Sequence, residues 1–402
     1  MLLCRLFQAR GEKLLNPAVV ISAYNRPGAL NRLLGSLEKA EYPADIRIPL
    51  VISIDQAKDN QEVLQAAEAF SWSHGPKEIL AHSQHLGLFQ HFFTCGDLTR
   101  TYGSIIFLED DLLVSPVYYH FASQALTCYD RDDRIGGVSL YGLWFNGYTR
   151  QPFSALPDSS DAFFLQLPYT QGEAFTSSQW SCFDEWRSSA ADNFVPTGPI
   201  HEDWFQFRPD EWFPIFTKYL IASGRYFVFP RVSLSTGCGD AGTHFNRTVT
   251  FFQAALQRSK QTYTFKNLDD SVCVYDSFFE ILPDRLNRLN ERLSAYNYDV
   301  DLYATKTERN LRAEYTLTSR RCRTPILSFG KEMLPIEANV IEDDPGQEIF
   351  LCRKEDLRWD WLSGLATTRS NYEFFERTSR PSRIQRVLFA MWRYYETRLR
   401  SH

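Results

Sequence analysis

The 402-residue chain contains no apolar run near the roughly 18 residues that a membrane-crossing helix requires. Its opening stretch, MLLCRLF, is too short and too soon interrupted by Arg5 to serve as a secretory leader, so a cytoplasmic location is expected. Eight cysteines are scattered with no C-x-x-C pair, which argues against both a structural zinc site and a disulfide framework. Without a leader, the sequon Asn246-Arg247-Thr248 reads as part of a loop. Positive charge is also in short supply: the net charge is −6, so no basic field is available to neutralise phosphates and no nucleic-acid partner is expected. There is no low-complexity tract and no internal repeat. Aromatic residues, by contrast, reach 15%, which fits a large core and fits carbohydrate-stacking faces equally well. The length suffices for two average domains, or for one large domain with an appendage.

Continuous apolar runs alternate with helical patterns through the first 140 residues. Ala18–Ser22 is a strand that ends in the turn signal Tyr24-Asn25-Arg26-Pro27-Gly28. Leu30, Leu33, Leu34 and Leu37 follow at the i, i+3, i+4, i+7 spacing of a helix packed on a sheet. A second buried strand over 48–54 stops at Asp55, and a helix is predicted over 62–70. Ser104–Leu108 is a further strand that runs into Glu109-Asp110-Asp111; a helix over 117–129 and a strand over 136–140 complete the pattern. Strands apolar on both faces and separated by helices predict an α/β fold with a mostly parallel sheet covered on both sides. Residues 141–250 read as loops and short elements over one side of that sheet. A catalytic unit is therefore expected over 1–255, with a mixed region over 256–402: helical from Phe278 to Leu293, turn-rich over 320–355, and ending in a basic amphipathic helix.

Ligands of such sheets sit beyond the carboxyl ends of the strands. Here that edge carries Tyr24 to Arg26, Asp55 and the acidic triplet. Three carboxylates closing a buried strand repel one another and lose hydration, so they call for a cation among them. A hard divalent ion on one or two carboxylates, completed by substrate phosphates, meets that need; the alternative is a solvated loop. Arg26 suits bidentate contact with a diphosphate. Asp55 suits contact with a base or ribose, or a helix N-cap. Either His82 or His85 suits contact with a base.

Together these segments resemble the GT-A glycosyltransferases, in particular the group of N-acetylglucosaminyltransferase I and the bacterial capsule- and O-antigen-building transferases. Val19 to Arg26, including Ser22, looks like the first strand with its diphosphate-binding arginine. Ile52 to Asp55 looks like the second strand with its uracil-contacting aspartate, and His82 to Gln90 like the stretch with a base-contacting histidine. Phe107 to Leu112 resembles the Glu-Asp-Asp form of the D-x-D motif. The resemblance implies that Asp111 holds manganese (or magnesium) and that Glu109 and Asp110 face the ribose and donor sugar. Tyr169–Thr176, Pro230–Ser235 and Gly239–His244 look like later segments, the last of these being a closing loop over the donor, with His244 in it. About 60% of the chain is covered.

The resemblance further implies transfer of a hexosyl or N-acetylhexosaminyl group from a UDP-sugar to a hydroxyl of a glycan or lipid-linked glycan, with inversion, in surface-polysaccharide synthesis. Glu211, in Asp210-Glu211-Trp212, is the first candidate for the base that takes the acceptor proton, with Asp210 and Glu173 behind it. Two rival readings are a sugar nucleotidyltransferase and a non-catalytic glycan-binding protein of the same fold. The first would carry a Gly-rich, lysine-containing loop where this chain has Ala23-Tyr24-Asn25-Arg26-Pro27; the intact acidic triplet argues against the second. The cationic, aromatic-rich stretch Arg380–Arg400 suits peripheral contact with the inner face of a membrane, or a helix docked on its own domain.

Overall fold

The computed structural model describes residues 14–190, 194–196, 198–208, 211–240, 249–359 and 387. The amino-terminal half alternates strands and helices: β1 Ala18–Ala23, α1 Pro27–Glu38, β2 Leu50–Ile54, α2 Gln61–Ala69, β3 Lys77–Ala81, α3 Gly87–Gly96, α4 Thr99–Tyr102 and β4 Ser104–Glu109, of which β3 and α4 are not predicted from the sequence. Then come β5 Leu112–Val114, α5 Tyr118–Tyr129, β6 Ile135–Ser139, β7 Ala162–Leu165, β8 Glu173–Thr176, α6 Ser177–Ala190, α7 Trp212–Ser223, β9 Tyr226–Pro230 and β10 Ser235–Gly237. The remainder holds β11 Val274–Tyr275, α8 Pro283–Asn287, β12 Tyr298–Asp301, β13 Tyr315–Thr318, β14 Pro325–Phe329, α9 Ala338–Ile341 and β15 Ile349–Arg353.

Nine strands form the central sheet in the order β11-β7-β9-β6-β8-β4-β1-β2-β3. β3, β2, β1 and β4 run parallel; β8 is antiparallel to both β4 and β6, and β7 is antiparallel to β9. Side chains of successive residues point to opposite faces, so each strand feeds two separate cores. Val20, Val51, Ile105 and Phe107 join Phe92 of α3, Trp180 of α6 and Trp212 of α7 on one face. Val19, Ile21, Ile52, Ile106 and Leu108 join α1, α2 and α5 on the other. Leu30, Leu33, Leu34 and Leu37 of α1 are buried against the second face, and each contributes about 2 kcal/mol of apolar transfer. Pro27 opens that helix, where its missing N–H costs nothing.

Three expectations need correction. Residues 141–250 are not mainly loops: they supply β7, β8 and β9 to the central sheet and two helices of 14 and 12 residues, α6 and α7. Their strands are short aromatic runs such as AFFL and YFVFP, with too few residues for periodicity to register. The span 278–293 is not one helix, because Pro283 forces Leu282 into an extended conformation (ψ 140°), and α8 covers only Pro283–Asn287. The stretch 320–355 contains two paired strands, β14 and β15, of a second sheet ordered β12-β13-β15-β14.

The second sheet is not a separate body. Val300, Leu317 and Leu351 belong to the same hydrophobic cluster as Tyr275, Phe279 and Trp212, and the buried Tyr275 hydroxyl donates to Glu337 at 2.8 Å. β11, beyond residue 255, is the outermost strand of the central sheet. No helix among the described residues is long and apolar enough to cross a membrane, and every described cysteine is a free thiol. The basic stretch near the C-terminus lies outside the described residues, Val387 excepted.

Candidate active site

Because β1, β2 and β4 are parallel, their carboxyl ends share one edge, and register places Ser22 beside Glu109. Arg26 immediately precedes α1, and its carbonyl accepts from the amides of Ala29 and Leu30, which anchors its backbone. From there its guanidinium donates to Asp111 Oδ2 at 2.9 Å and, through its other terminal nitrogen, to Asp110 Oδ1. Asp110 is 3% exposed and Asp111 25%, so one carboxylate is sealed and the other faces the edge.

The electrostatics of this cluster are strained in one direction. Burial, with Asp111 and Asp110 close by, pushes the Glu109 carboxyl up to about 8 against the pull of Arg26. Burial pushes Asp110 up to about 6, with Arg26 opposing and Asp111 adding. Arg26 is raised: burial lowers it, but the two carboxylates outweigh that. Asp110 Oδ2 is buried and has no hydrogen-bond partner. One arginine thus leaves an acidic cluster short of positive charge, with a buried, unpartnered carboxylate oxygen beside it. Among the described residues no group of three or more His, Cys, Asp and Glu side chains suits a metal ion. A divalent cation here would therefore draw on Asp111 and Asp110 and complete its shell from a ligand or water, which is how magnesium-like ions are commonly bound.

Asp55 is 2% exposed, and its carboxylate is already engaged. Oδ1 accepts from the amides of Gln56 (2.8 Å) and Leu86 (2.7 Å), Oδ2 from that of Gly87 (3.0 Å), and His85 Nδ1 stands 2.9 Å from Oδ2. Three amide donors thus take up most of the roughly four acceptor positions of the carboxylate, while His85 Nδ1 hydrogen-bonds the Gln56 carbonyl at 3.1 Å. Asp55 accordingly holds the start of α3, where Gly87 takes a φ of +74° that favours glycine.

The two candidate histidines part company. His82 Nε2 lies 2.8 Å from the Ser53 hydroxyl, and the same hydroxyl lies 2.8 Å from Nε2 of His91. His91 is buried, which drives its pKa down to about 4 and keeps it neutral. His85 is 54% exposed and packs against Tyr24 with ring centroids 5.2 Å apart, so it presents a ring at the sheet edge. Nothing in the sequence marks Ser53 or His91: Ser53 sits in an apolar strand, and His91 lies among the apolar Leu88, Phe89, Phe92 and Phe93 of its helix.

Glu173 opens β8 opposite Phe107 of β4 and Ser139 of β6. It is 1% exposed, and neither carboxylate oxygen has a partner. Burial, reinforced by Glu109, raises its pKa well above the ordinary carboxylate range and favours its neutral form. Glu211 caps α7 through its backbone, without a side-chain cap bond. Trp212 beside it is 2% exposed and stacks on Phe92 of α3 at 3.9 Å and 7°. Asp210 and His244 lie outside the described residues. The chain leading to the His244 segment is nonetheless tied to the acidic cluster. β10 pairs antiparallel with β5, the Cys238 amide donates to the Asp111 carbonyl at 3.0 Å, and the Val249 amide returns to the Gly239 carbonyl at 2.9 Å. Gly239 has a φ of +73°, and a Cβ there would meet the Val249 carbonyl.

No family model and no curated protein matches the sequence. Among solved structures, the chain is similar to S. aureus TarS 1–349 in complex with UDP, at 13% identity over 55% of this chain and 60% of that one, with a TM-score of 0.35. It is also similar to GalNAc-T7 with UDP, GalNAc and Mn2+ (12% identity, 55% of this chain, 43% of that one, TM-score 0.38). A third is the mannosyltransferase PcManGT from Pyrobaculum calidifontis with GDP-Man and Mn2+ (13% identity, 45% and 52%, TM-score 0.29). The matched region thus spans less than two thirds of each of these proteins.

Proposed function

We propose that the chain is a GT-A-type glycosyltransferase that moves a sugar from a UDP-sugar to a hydroxyl of a glycan acceptor. The observation that carries this reading is the junction of Arg26 with Asp110 and Asp111 at adjacent parallel strand ends, next to an unpartnered carboxylate oxygen. In this reading Asp111, with Asp110, would hold Mn2+ or Mg2+, whose charge would offset that of the leaving diphosphate. Arg26, released from the carboxylates, binds the diphosphate through its fork of donors. Ser22, Glu109 and Asp110 face the ribose and donor sugar, and the Tyr24–His85 ring pair packs against the base. Asp55 positions His85 and the start of α3.

Glu211 takes the acceptor proton as the donor bond breaks. Burial and Glu109 favour the neutral form of Glu173, so it stands behind Glu211 as an acceptor for that proton. An in-line attack opposite the leaving diphosphate inverts the anomeric centre, and NMR of the product reads that configuration. All these groups lie within residues 1–255, which we take as the catalytic part, and surface-polysaccharide assembly on the cytoplasmic side of a membrane is the setting we assign to it.

The test is calorimetric titration of UDP with and without Mn2+, on the wild type and on Asp111→Ala. Metal-dependent binding that weakens by about tenfold or more in the variant, 1.4 kcal/mol, supports the reading. Equal binding by both proteins, or none by the wild type, overturns it.

A further inference from the structure

The cysteines are scattered along the sequence, but the second sheet brings two of them together. Cys352 lies on β15, where its register partners are Thr316 of β13 and Pro325 of β14, and it is fully buried. Cys322 lies between β13 and β14, in a single antiparallel bridge with Leu357. That bridge is closed on both sides. The Arg323 amide donates to the Asp356 carbonyl and the Arg358 amide to the Arg321 carbonyl, each at 3.0 Å. Directly opposed residues of an antiparallel pair put their side chains on one face. Cys322 and Leu357 thus turn inward together, into a small apolar cluster with Leu311 and Cys352 that is separate from the two main cores. Within it the Cys352 thiol donates a hydrogen bond to the Cys322 sulfur.

The two thiols are not equivalent. Burial pushes Cys352 up to about 12, with Cys322 and Asp356 adding to the effect. Cys322 is only partly buried. Burial raises it as well, with Asp356 adding, but the hydrogen bond received from Cys352 and the nearby Arg358 guanidinium oppose that rise. The sulfur open to solvent is therefore the one whose thiolate its neighbours support, and a second thiol stands directly behind it. An accessible thiol beside a resolving one is the arrangement that thiol–disulfide exchange requires.

We infer that Cys322 and Cys352 form a dithiol site that a small disulfide oxidant of the glutathione class converts to an intramolecular disulfide. The Cys322 thiolate attacks one sulfur of the oxidant, forming a mixed disulfide and releasing one thiolate. The Cys352 thiolate then attacks the Cys322 sulfur, closing the bond between the two cysteines and expelling the second thiolate. The protein thiols lose two electrons and two protons, and the oxidant leaves as two thiols. The sulfurs need only close from hydrogen-bond distance to about 2.05 Å. The new bond ties the 321–323 segment to β15 and encloses β14 and α9 in one ring, which restricts the unfolded chain more than the folded one.

The test is incubation of the folded full chain with glutathione disulfide, then alkylation of the remaining thiols, proteolysis and mass spectrometry. The expected product is a peptide pair joined through Cys322 and Cys352, two hydrogens lighter than the separate thiol peptides. Its rate of formation rises between about pH 7 and 9, approaching tenfold per unit, because both thiols are largely protonated there. The oxidised chain melts roughly 3–5 °C above the reduced one, and dithiothreitol reverses the gain. Cys322→Ala and Cys322→Ser each remove the cross-link and the gain. A glutathione adduct that persists on Cys322 without ring closure overturns the dithiol site. So does another cysteine pair linked in equal or greater yield, or no modification at either residue. These three outcomes are read on the wild type, so they do not depend on how well the variants fold. Neither cysteine is at the strand-end edge, which makes the result independent of the transferase reading.

Discussion

Arg26 and Asp111, 85 residues apart in sequence, are joined by a 2.9 Å hydrogen bond between Nη1 and Oδ2. The arginine occupies the place that a divalent cation would contest, so the two compete for one carboxylate. Arg26→Ala is therefore expected to have opposite effects on the two ligands. Mn2+ alone binds more tightly, by about three- to tenfold, because Asp110 and Asp111 lose their internal counter-charge. UDP in the presence of Mn2+ binds more weakly, by about tenfold or more, because the diphosphate loses its bidentate donor. Calorimetry of both ligands on both proteins reads the result, and loss of affinity for the metal alone would contradict the competition.

Glu173 sets a dependence of stability on pH. Its folded-state pKa lies well above its ordinary 4.5. The stabilisation from its bound proton is complete below about pH 4.5 and is lost as pH rises toward the folded value, because the unfolded chain ionises first. Glu173→Gln keeps the shape and removes the titration. The variant should match the wild type in melting temperature near pH 4 and exceed it by a margin that grows as pH rises above about 4.5. A difference between the two proteins that does not change with pH would show that Glu173 is not held protonated.

The Ser53 hydroxyl serves two imidazoles at 2.8 Å each, one of them buried. Ser53→Ala leaves His91 with an unsatisfied ring nitrogen in the core. A loss of about 1–3 kcal/mol in denaturant unfolding follows, with UDP affinity falling as His82 is released. Ser53→Thr retains the hydroxyl and is expected to recover part of both. An alanine variant as stable as the wild type would mean that water replaces the hydroxyl.

Strands β1, β2, β4 and β6 were legible because both of their faces are buried and turn residues bound them. β3 was not: its residues Lys77–Ala81 include no fully buried one, since it forms the edge of the sheet. β7 and β9 escaped because strands of four and five residues carry no period that separates a strand from a loop. The Arg26, Asp110 and Asp111 junction was foreseeable, since parallel strands deliver their ends to one edge. The His82–Ser53–His91 chain was not, because it depends on α3 laying His91 across β2, a contact spanning 38 residues. The sequence also placed Asp55 at the strand-end edge without revealing that three backbone amides engage its carboxylate. That outcome is decided by how the 82–87 segment turns back.

The hydrogen bond from Tyr275 to Glu337 has a consequence for any attempt to shorten the protein. A polypeptide ended at residue 255 would lose β11 and uncover the edge of β7. It would also strip the aromatic core on the α3, α6 and α7 face of Tyr275, Phe279 and the second sheet's aliphatic residues. The acidic strand end could be intact in sequence and still have no folded support. The two sheets thus share one hydrophobic core, and the half that carries no proposed chemistry is the scaffold on which the other half stands.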